Sequence, residues 1–558
     1  MPDPAQKPIG NIAGHLSAMA RLQPERAAII CARGRDANGA VAYEQLSFAE
    51  LEQRSNRLAL SLAEIGIGRG LRTALMVPPG LDFFVLTFAL FKLGAVPVLI
   101  DPGIGVRNLG GCLKQAQPAA FIGISKAHAA RVVLGWARGT IRTCVTVGAR
   151  WFWGGYSLQE LNAMAPTAGA CEAIEPELEE TAAILFTSGS TGAPKGVVYT
   201  HAMFGAQVTH IRNLYGIEAG ETDLATFPLF ALFGPALGMT TVIPEMDPAR
   251  PATVNPENIF GAIERFHVTN MFGSPALINR VGRHGEKHGL KLPTLRRAIS
   301  AGAPVPAKVL DRFVAMMSPG AQVFTPYGAT ECLPVASIGS TEILGDTRYQ
   351  TDVGAGVCVG RPVPGLEARV IRITDEPIAA WDKALALPTG EIGEIAVRAN
   401  HATRTYFEMP AATALAKIPD TASNSFFHRM GDLGYFDPQG RLWFCGRKAH
   451  RVETPEGVMF TIPCEAVFNT DPRIFRTALV GVRRNGRMTG VLCVELEAAA
   501  GKESQDAIRE ALKKLGAMHE HTRRIDTFLF HPGFPVDVRH NAKIFREKLA
   551  VWAEKQLG

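Results

Sequence analysis

The chain has 558 residues, of which 47% are hydrophobic and 20% are charged, and its formal net charge at pH 7 is only +6. This length exceeds what one hydrophobic core supports, so two or more domains are expected, and the composition excludes an intrinsically disordered chain. The small net charge, without a basic block or a repeat of interleaved basic and aromatic residues, argues against nucleic-acid binding.

The nine cysteines are scattered, with no CxxC pair and no His/Cys cluster at zinc spacing. This pattern predicts reduced thiols that serve as small core residues. The first residues, MPDPAQKPIG, contain no apolar run of the kind found in secretory signals. We therefore expect a cytoplasmic protein.

Apolar runs alternate with amphipathic stretches through the first 330 residues, which is typical of parallel sheets covered by helices. SFAELEQRSNRLALSLAEIG predicts a helix, with Ser47 and Glu50 as its capping box, and TALMVP predicts the strand after it. The stretch from Phe83 to Ile100 has nearly the length of a transmembrane span, but Lys92 and Pro97 interrupt it. It predicts a buried helix to about Leu93, then a turn and a short buried strand.

The pattern changes after about residue 350 to short runs separated by turn signals. VGRPVPGLEARVIRI, TGEIGEIAVRAN and YFDPQGRLWFCGR predict hairpins and a small barrel or meander. From about Arg447, the strand-like TALVGVRR and TGVLCVELEA and the helical SQDAIREALKKLG predict a further domain of roughly a hundred residues.

The most distinctive stretch is FTSGSTGAPKGVVYTH, residues 186–201, which surrounds Lys195 with glycines and hydroxyl residues. Glycines let backbone N–H groups approach phosphate oxygens, hydroxyls donate further hydrogen bonds, and the lysine supplies positive charge. The stretch is not a Walker A loop, because Gly196 follows the lysine where that motif has Ser or Thr. Taken alone, it is equally compatible with a flexible surface turn.

Further motifs follow this loop in order: SAGAPV at 300–305, YGATE at 327–331, MGDLGYFD at 430–437, GRKAHRVETPEG at 446–457 and RHNAKIFR at 539–546. Together they resemble the signature motifs of the adenylate-forming enzymes, the superfamily of acyl-CoA synthetases, peptide-synthetase adenylation domains and firefly luciferase. The resemblance covers essentially the whole chain and decides against the surface turn.

The resemblance implies an α/β fold in two domains. A large N-terminal domain, residues 1–446, would contain two mainly parallel sheets with helices plus a small β-barrel-like subdomain. A small mobile α+β C-terminal domain, residues 447–558, would act as a lid that carries the catalytic lysine. The implied cofactors are ATP and Mg2+.

The same resemblance implies roles for individual residues. Glu331 would hold Mg2+ on the phosphates, Thr330 would bind phosphate, and Lys543 would neutralise the reacting oxygens during adenylation. The residues expected to bind ATP are Thr187, Ser188, Gly189, Ser190, Thr191, Gly192, Lys195, Gly302, Ala303, Pro304, Tyr327, Gly328, Asp432 and Arg447. Judged by residue type alone, Tyr327 would be a core residue, Asp432 a turn residue, and Glu331 and Arg447 surface charges.

The chain departs from the family pattern near its end. Most members carry PxTxxGK before the late lysine, whereas Asp537 and Ala542 occupy the Pro and Gly positions here. The segment DVRHNAKI is instead similar to that of the β-lactone synthetases of bacterial olefin biosynthesis. Two other departures separate the chain from ordinary CoA ligases: Ala231 replaces the usual histidine of PLFH, and Ala449 and Glu453 alter the hinge.

In such an enzyme the substrate's own β-hydroxyl attacks the activated carboxylate, in a site that keeps water out. His540 and His450 are candidate general bases, because histidine titrates in the required range, with a structural histidine as the alternative for each. The predicted acyl site consists of Phe227, Phe230, Ala231, Phe233, Met239 and Phe272. Ordinary core packing is the alternative for these residues.

The sequence therefore predicts an ATP-dependent β-lactone synthetase that adenylates and cyclises a long-chain 2-alkyl-3-hydroxy fatty acid. A long-chain fatty acyl-CoA ligase or fatty acyl-AMP ligase is the alternative, since it shares every nucleotide motif. A luciferase-like oxygenase and a non-catalytic nucleotide-binding scaffold are further alternatives. We expect no nucleic-acid partner and no membrane span, and assembly with other enzymes of the same pathway is a hypothesis.

Overall fold

The computed structural model describes residues 10–166, 173–187, 194–484, 486–498, 500, 504–536 and 544–558. Strands and helices alternate through its first half. Up to residue 166 they are α1 (Ile12–Leu22), β1 (Ala27–Arg35), β2 (Val41–Ser47), α2 (Phe48–Glu64), β3 (Arg72–Met76), α3 (Leu81–Lys92), β4 (Val96–Ile100), α4 (Val106–Ala116), β5 (Ala120–Ile124), α5 (Ser125–Leu134), β6 (Thr143–Val147), β7 (Tyr156–Ser157) and α6 (Leu158–Met164).

The alternation continues to residue 329. The elements there are β8 (Thr181–Thr187), β9 (Lys195–Thr200), α7 (His201–Tyr215), β10 (Thr222–Ala225), α8 (Pro228–Ala231), α9 (Phe233–Leu237), β11 (Thr240–Ile243), α10 (Pro256–Phe266), β12 (Asn270–Phe272), α11 (Pro275–His288), β13 (Arg297–Ile299), α12 (Ala307–Val314) and β14 (Gln322–Ala329).

Strands dominate the third part of the chain. Its elements are β15 (Cys332–Gly339), α13 (Ser340–Glu342), α14 (Arg348–Asp352), β16 (Val357–Pro362), β17 (Glu367–Ile371), β18 (Gly393–Arg398), α15 (Pro410–Ala416), β19 (Lys417–Asp420), β20 (Ser425–Phe436) and β21 (Leu442–Arg447). The last part contains β22 (Val452–Thr454), β23 (Gly457–Met459), α16 (Thr461–Phe468), β24 (Ile474–Arg484), β25 (Arg487–Leu496), α17 (Gln505–Ala517), β26 (Phe528–Phe530) and α18 (Arg546–Leu557).

Two sheets form the large first part of the molecule. One has seven strands in the order β7-β6-β5-β3-β4-β8-β9, and its neighbours are parallel except for the antiparallel pair β8–β9. The other is parallel from β1 through β11, β10, β12 and β13 to β14. Helices cover both, so the α/β class with mainly parallel sheets is confirmed.

The antiparallel strands after residue 330 extend this second sheet. β15 pairs with β14 and β16, and the order continues through β21, β20 and β18 to β17. The expected barrel-like part is this extension, and the strands in the described part of the chain do not close into a barrel.

One predicted hairpin forms and another does not. YFDPQGRLWFCGR makes the β20–β21 hairpin, with Tyr435 opposite Trp443. In VGRPVPGLEARVIRI, both strands form, but β17 pairs with β18 and not with β16. The reason is that β15 and β21 already occupy the two edges of β16.

The apolar run beginning at Phe83 forms the buried helix α3 and the buried strand β4, as predicted. Lys92 at the end of α3 is fully buried, and its Nζ lies 2.8 Å from Glu52 Oε2 on α2. The predicted capping box of Ser47 and Glu50 is also present. Among the described residues, no helix combines the length and the apolar composition needed to cross a bilayer.

The chain after residue 450 builds a separate three-stranded sheet, in the order β24-β25-β26. The predicted strands TALVGVRR and TGVLCVELEA are β24 and β25, and the predicted helix is α17. Two apolar clusters lie on this sheet, one around Phe468 and Leu492 and the other around Val480 and Leu549.

The eight cysteines in the described ranges are unpaired and buried, as predicted for core thiols. The ninth, Cys171, lies outside the described residues.

Candidate active site

The β8–β9 hairpin carries the two ends of the glycine-rich loop. Its register places Thr187 opposite Lys195. Ser188, Gly189, Ser190, Thr191 and Gly192 lie outside the described residues. The Lys195 ammonium lies over the ring of Tyr406, with Nζ 4.8 Å from the ring centroid, so a cation–π contact positions the predicted phosphate-binding charge.

Tyr406 also binds Glu331, the predicted metal ligand. Its hydroxyl donates a hydrogen bond of 2.7 Å to Glu331 Oε1, and the Thr403 backbone N–H donates to the Glu331 carbonyl at 2.8 Å. Burial and the Glu331 charge raise the pKa of Tyr406 far above its usual value. The phenol therefore stays protonated and acts as a fixed donor to the carboxylate.

Thr330 and Glu331 occupy the tight turn between β14 and β15. Gly328 is required there, because a Cβ atom on it would lie 2.6 Å from the Cys332 carbonyl oxygen. The Tyr199 hydroxyl, from β9, donates to the Thr330 carbonyl. This contact joins the seven-stranded sheet to the second sheet beside the glycine-rich loop.

A second charged group, the pair Asp432 and Arg447, lies close enough to the first group, Lys195 and Glu331, for the Glu331 charge to act on Asp432. On the β20–β21 hairpin, Asp432 pairs with Arg447 in register, and Arg447 Nη1 lies 2.9 Å from Asp432 Oδ1. The Tyr327 hydroxyl, from β14, donates a 2.7 Å hydrogen bond to Asp432 Oδ2. Burial raises the pKa of Asp432, and the Arg447 charge and the Tyr327 hydrogen bond oppose this shift.

The predicted adenine-side loop follows β13, which is parallel to β14. Continuing the register from the Ile299–Phe324 pair places Gly302 level with Tyr327 at the same edge of the sheet. Gly302 has a φ of 98°, which only glycine adopts readily. Ala303 is half-buried and Pro304 is exposed, so the loop presents a short, mostly backbone surface beside Tyr327.

A buried lysine lies behind Tyr406. Lys417 Nζ donates to the Thr403 carbonyl and to His428 Nδ1, the latter at 3.0 Å, and lies 5.9 Å from the Tyr406 ring centroid. Burial lowers the pKa of Lys417 to about 7, with Glu331 acting against this shift and Lys195 adding to it. Burial and Lys417 hold the pKa of His428 well below its usual value, so His428 is a neutral acceptor.

The predicted acyl-site residues fall into separate groups. Phe227, Phe230 and Phe272 form one aromatic cluster, in which the rings of Phe230 and Phe272 stack at 4.5 Å. Ala231 and Met239 are buried in the large core of the first part of the molecule.

Phe233 belongs to a different group. Its ring centroid lies 6.3 Å from Phe204, which stacks on Tyr199 at 4.9 Å. Because Tyr199 also binds Thr330, Phe233 ends an aromatic path from the charged centre into the apolar core.

Of the catalytic and base candidates near the chain's end, Lys543 and His540 lie outside the described residues. His450 follows Arg447 by three residues, and its Nε2 lies 3.1 Å from Glu547 Oε1 on α18. Burial, followed by the nearby Arg546 charge, lowers the pKa of His450. At neutral pH it is therefore an uncharged imidazole held against the C-terminal helix.

Four residues near the charged centre were not predicted. Tyr199 had a sequence signal, since period-two alternation puts it on the same strand face as Lys195. Tyr406, Lys417 and His428 had none, because they come from segments more than two hundred residues further on and only the fold brings them here.

Comparison with known proteins agrees with this geometry. The profile of the AMP-binding enzyme family matches residues 16–407. The chain belongs to the AMP-binding enzyme family.

Two relatives within this family match almost the whole chain. The olefin beta-lactone synthetase of Xanthomonas campestris pv. campestris is 51% identical over 551 residues, which is 98% of both chains. The olefin beta-lactone synthetase of Stenotrophomonas maltophilia is 52% identical over 552 residues, again 98% of both chains. Among solved structures, an anthranilate CoA ligase in complex with anthranoyl-AMP superposes with a TM-score of 0.79 at 18% identity, covering 99% of both chains. That last likeness concerns the fold alone.

If Tyr406 orients Glu331 in this AMP-binding enzyme, Tyr406→Phe should lower kcat for ATP–pyrophosphate exchange. Loss of a hydrogen bond to a charged group costs about 1.5–3 kcal/mol, which corresponds to about a 10- to 100-fold decrease. The ring that faces Lys195 is retained. Tyr215→Phe is the matched control, because its buried hydroxyl lies 3.3 Å from the neutral Ser337 Oγ, away from the charged side chains of the site. An exchange rate equal in both variants and the wild type would show that the Tyr406 hydroxyl has no such role.

The depressed pKa of Lys417 also predicts a pH-dependent stability. Between about pH 7 and the ordinary lysine value of about 10.4, the unfolded chain holds a proton that the folded chain has released, so folding stability rises with pH in this range. Lys417→Met removes this dependence. The unfolding temperature of the variant minus that of wild type should be highest below pH 7 and fall steadily towards pH 10. Lys513→Met, at an exposed site, is the control, and a Lys417→Met difference that does not vary with pH would contradict the assignment.

Proposed function

We propose that this protein is an AMP-forming olefin β-lactone synthetase. It activates the carboxylate of a long-chain 2-alkyl-3-hydroxy fatty acid with ATP and closes the product to a β-lactone, releasing AMP and pyrophosphate. The observation that carries the proposal is the likeness, at half identity over the full length, to two relatives of that name. CoA ligases share the fold at much lower identity.

We propose that ATP binds across the two charged groups. Tyr327 would present its ring to adenine beside Gly302, Ala303 and Pro304. Asp432 would accept hydrogen bonds from the ribose hydroxyls, because Tyr327 and Arg447 already fix the orientation of its two carboxylate oxygens.

The phosphates would then extend towards Lys195. The loop from Thr187 to Gly192 would supply backbone N–H and hydroxyl donors, and Thr330 a further hydroxyl. Lys195 is positioned for this role by Tyr406.

Glu331 has the properties of a magnesium ligand that shares the ion with bound ATP. Its hard carboxylate oxygens suit Mg2+, and Tyr406 engages only Oε1 in the contacts described above. Within the described ranges, no group of three His, Cys, Asp or Glu side chains could hold a metal by itself. Because Mg2+ at ATP sites is bound by one or two carboxylates together with the phosphates, Glu331 would share the ion with ATP, and the ion would supply charge neutralisation as pyrophosphate leaves.

The first half-reaction makes the carboxylate reactive. A carboxylate oxygen attacks the α-phosphorus and pyrophosphate departs, which gives an acyl adenylate. We propose that Lys543 neutralises the oxygens in this step. It belongs to a C-terminal domain, residues 447–558, whose separate sheet and apolar clusters support a boundary after residue 446.

The second half-reaction closes the ring. The substrate's β-hydroxyl oxygen attacks the acyl carbon, the bond between that carbon and the AMP oxygen breaks, and AMP leaves with the electron pair. The hydroxyl proton passes to a base, for which His540 and His450 are the candidates. If Nε2 of His450 donates to Glu547, its Nδ1 is the available acceptor.

The acyl chains would lie along apolar surface next to the charged centre. The aromatic path of Tyr199, Phe204 and Phe233 starts at Thr330 and leads into the core, so an alkyl chain bound along it would lie on apolar side chains and away from the phosphates. The cluster of Phe227, Phe230 and Phe272 provides a second apolar surface. Two such surfaces suit an acid with two alkyl arms.

Product analysis distinguishes cyclisation from thioester formation. With ATP, Mg2+ and a synthetic 2-alkyl-3-hydroxy acid, in the absence of CoA, mass spectrometry should show the acid minus one water and one AMP per product. The matched substrate lacking the 3-hydroxyl should give no such product, because it has no internal nucleophile. A product that forms only with CoA and carries its mass would identify a CoA ligase, and unchanged acid with AMP release would contradict cyclisation.

A further inference from the structure

The charge of the chain is unevenly distributed. Between Asp101 and Glu160, residues 102–159 contain no Asp or Glu. The same segment contains seven cationic residues, which exceeds the net charge of +6 of the whole chain: Arg107, Lys114, Lys126, Arg131, Arg138, Arg142 and Arg150. This segment forms the outer end of the seven-stranded sheet with helices α4 and α5. Nothing in the proposed reaction uses it.

Large apolar side chains are exposed on the same segment. Phe152 is 76% exposed and its neighbour Trp151 is 58% exposed. At the end of α5, Val133 is 78% exposed, and Val132 and Leu134 are exposed as well. Exposed large apolar groups that lie close together usually mark an interaction site. We refer to the exposed side chains of residues 126–142 and 150–156 as the α5 surface.

The aromatic residues of the α5 surface are held in place by a half-buried side chain, Trp153. The ring of Trp153 stacks on His128 of α5 at 5.4 Å, and its Nε1 donates a 2.9 Å hydrogen bond to Thr146 Oγ1. Trp151 and Phe152 both contact Trp153, with ring centroids 5.3 and 5.4 Å away. The two exposed rings are therefore mounted on a fixed base.

The exposed aliphatic residues continue along the same helix. Val132 lies one turn after His128 on one face of α5, and Val133 and Leu134 end the helix. Leu134 is six positions after His128, so the aromatic and aliphatic groups lie within about 9 Å of each other along the helix axis.

Cations without acidic partners lie before and after these apolar groups along the segment that contains α5. Lys126, Arg138 and Arg142 are exposed, and in the described part of the chain no Asp or Glu lies within ion-pair distance of them. Arg150 differs, because Glu160 holds it in a bidentate pair at 2.6 and 2.9 Å. Among the residues that the structure describes, these three cations of the α5 surface therefore have no ion-pair partner.

We propose that the α5 surface docks on the face of an anionic lipid bilayer. Tryptophan and other large apolar side chains favour the interface between headgroups and acyl chains. Each Lys or Arg close to an anionic membrane contributes about 1 kcal/mol. Exposed apolar side chains and unpaired cations on one segment match this partner, whereas a neutral protein surface would leave the three cations uncompensated. The docking is independent of the reaction, although it would bring an enzyme of water-insoluble acids to its substrate.

Co-sedimentation of the full-length protein with vesicles tests this proposal. The protein should bind phosphatidylcholine vesicles that contain about one third phosphatidylglycerol, bind pure phosphatidylcholine much more weakly, and dissociate at high salt. Trp151→Ser/Phe152→Ser should lower the fraction of protein bound to vesicles, because the two rings that insert between headgroups and acyl chains are missing. Lys126→Gln/Arg138→Gln/Arg142→Gln should lower the partition constant at least tenfold through lost charge.

Tyr349→Ser/Met518→Ser is the matched control, because both side chains are exposed but lie on other elements. It should bind as wild type does. All variants should retain their unfolding temperature and their AMP release from a soluble short-chain acid. Absence of binding to anionic vesicles, or equal binding by the wild type and both test variants, would overturn the proposal. A self-association that the test variants abolish, without vesicle binding, would assign the α5 surface to a second copy of the chain.

Discussion

The hydrogen bond from Tyr406 to Glu331 is the contact around which the candidate site is organised. It joins the turn after β14 to a segment that also supports Lys195 from the opposite sheet. Three segments far apart in the sequence thus meet at one phenol, and burial keeps that phenol protonated. Together with the hydrogen bond from Tyr199 to the Thr330 carbonyl, this donor fixes the relative position of a carboxylate and an ammonium that lie on different sheets.

The other charged side chains near this contact are buried as well, and burial requires that each of them has a partner. A carboxylate taken out of water must be paired, and Asp432 meets Arg447 and the Tyr327 hydroxyl as it leaves solvent. Within the described ranges, Lys417 has no carboxylate partner of this kind: burial lowers its pKa to about 7, and it hydrogen-bonds the Thr403 carbonyl and His428. The centre therefore carries fixed donors and acceptors before any nucleotide is bound, as electrostatic preorganisation requires.

Much of this arrangement could be predicted from the sequence, because it depends on local patterns. The alternating apolar runs predicted the parallel sheets. The interruption of the Phe83 run by Lys92 and Pro97 predicted the boundary between α3 and β4. The ordered motifs singled out Lys195, Tyr327 and Glu331 as candidate site residues before their positions in the fold were known. The pairing of β17 could not be predicted, since it depends on which strand edges are already occupied. Tyr406 and Lys417 could not be found either, because their positions arise from contacts between distant segments.

In the proposed reaction the substrate's carboxylate is adenylated, and the substrate's own hydroxyl then displaces AMP. Labelling the 3-hydroxyl oxygen with 18O tests this directly, since the label follows that oxygen through both half-reactions. Mass spectrometry of the products should find the label in the lactone ring and none in AMP. Label in AMP would contradict the account, because it would mean that the hydroxyl was activated and the carboxylate displaced it.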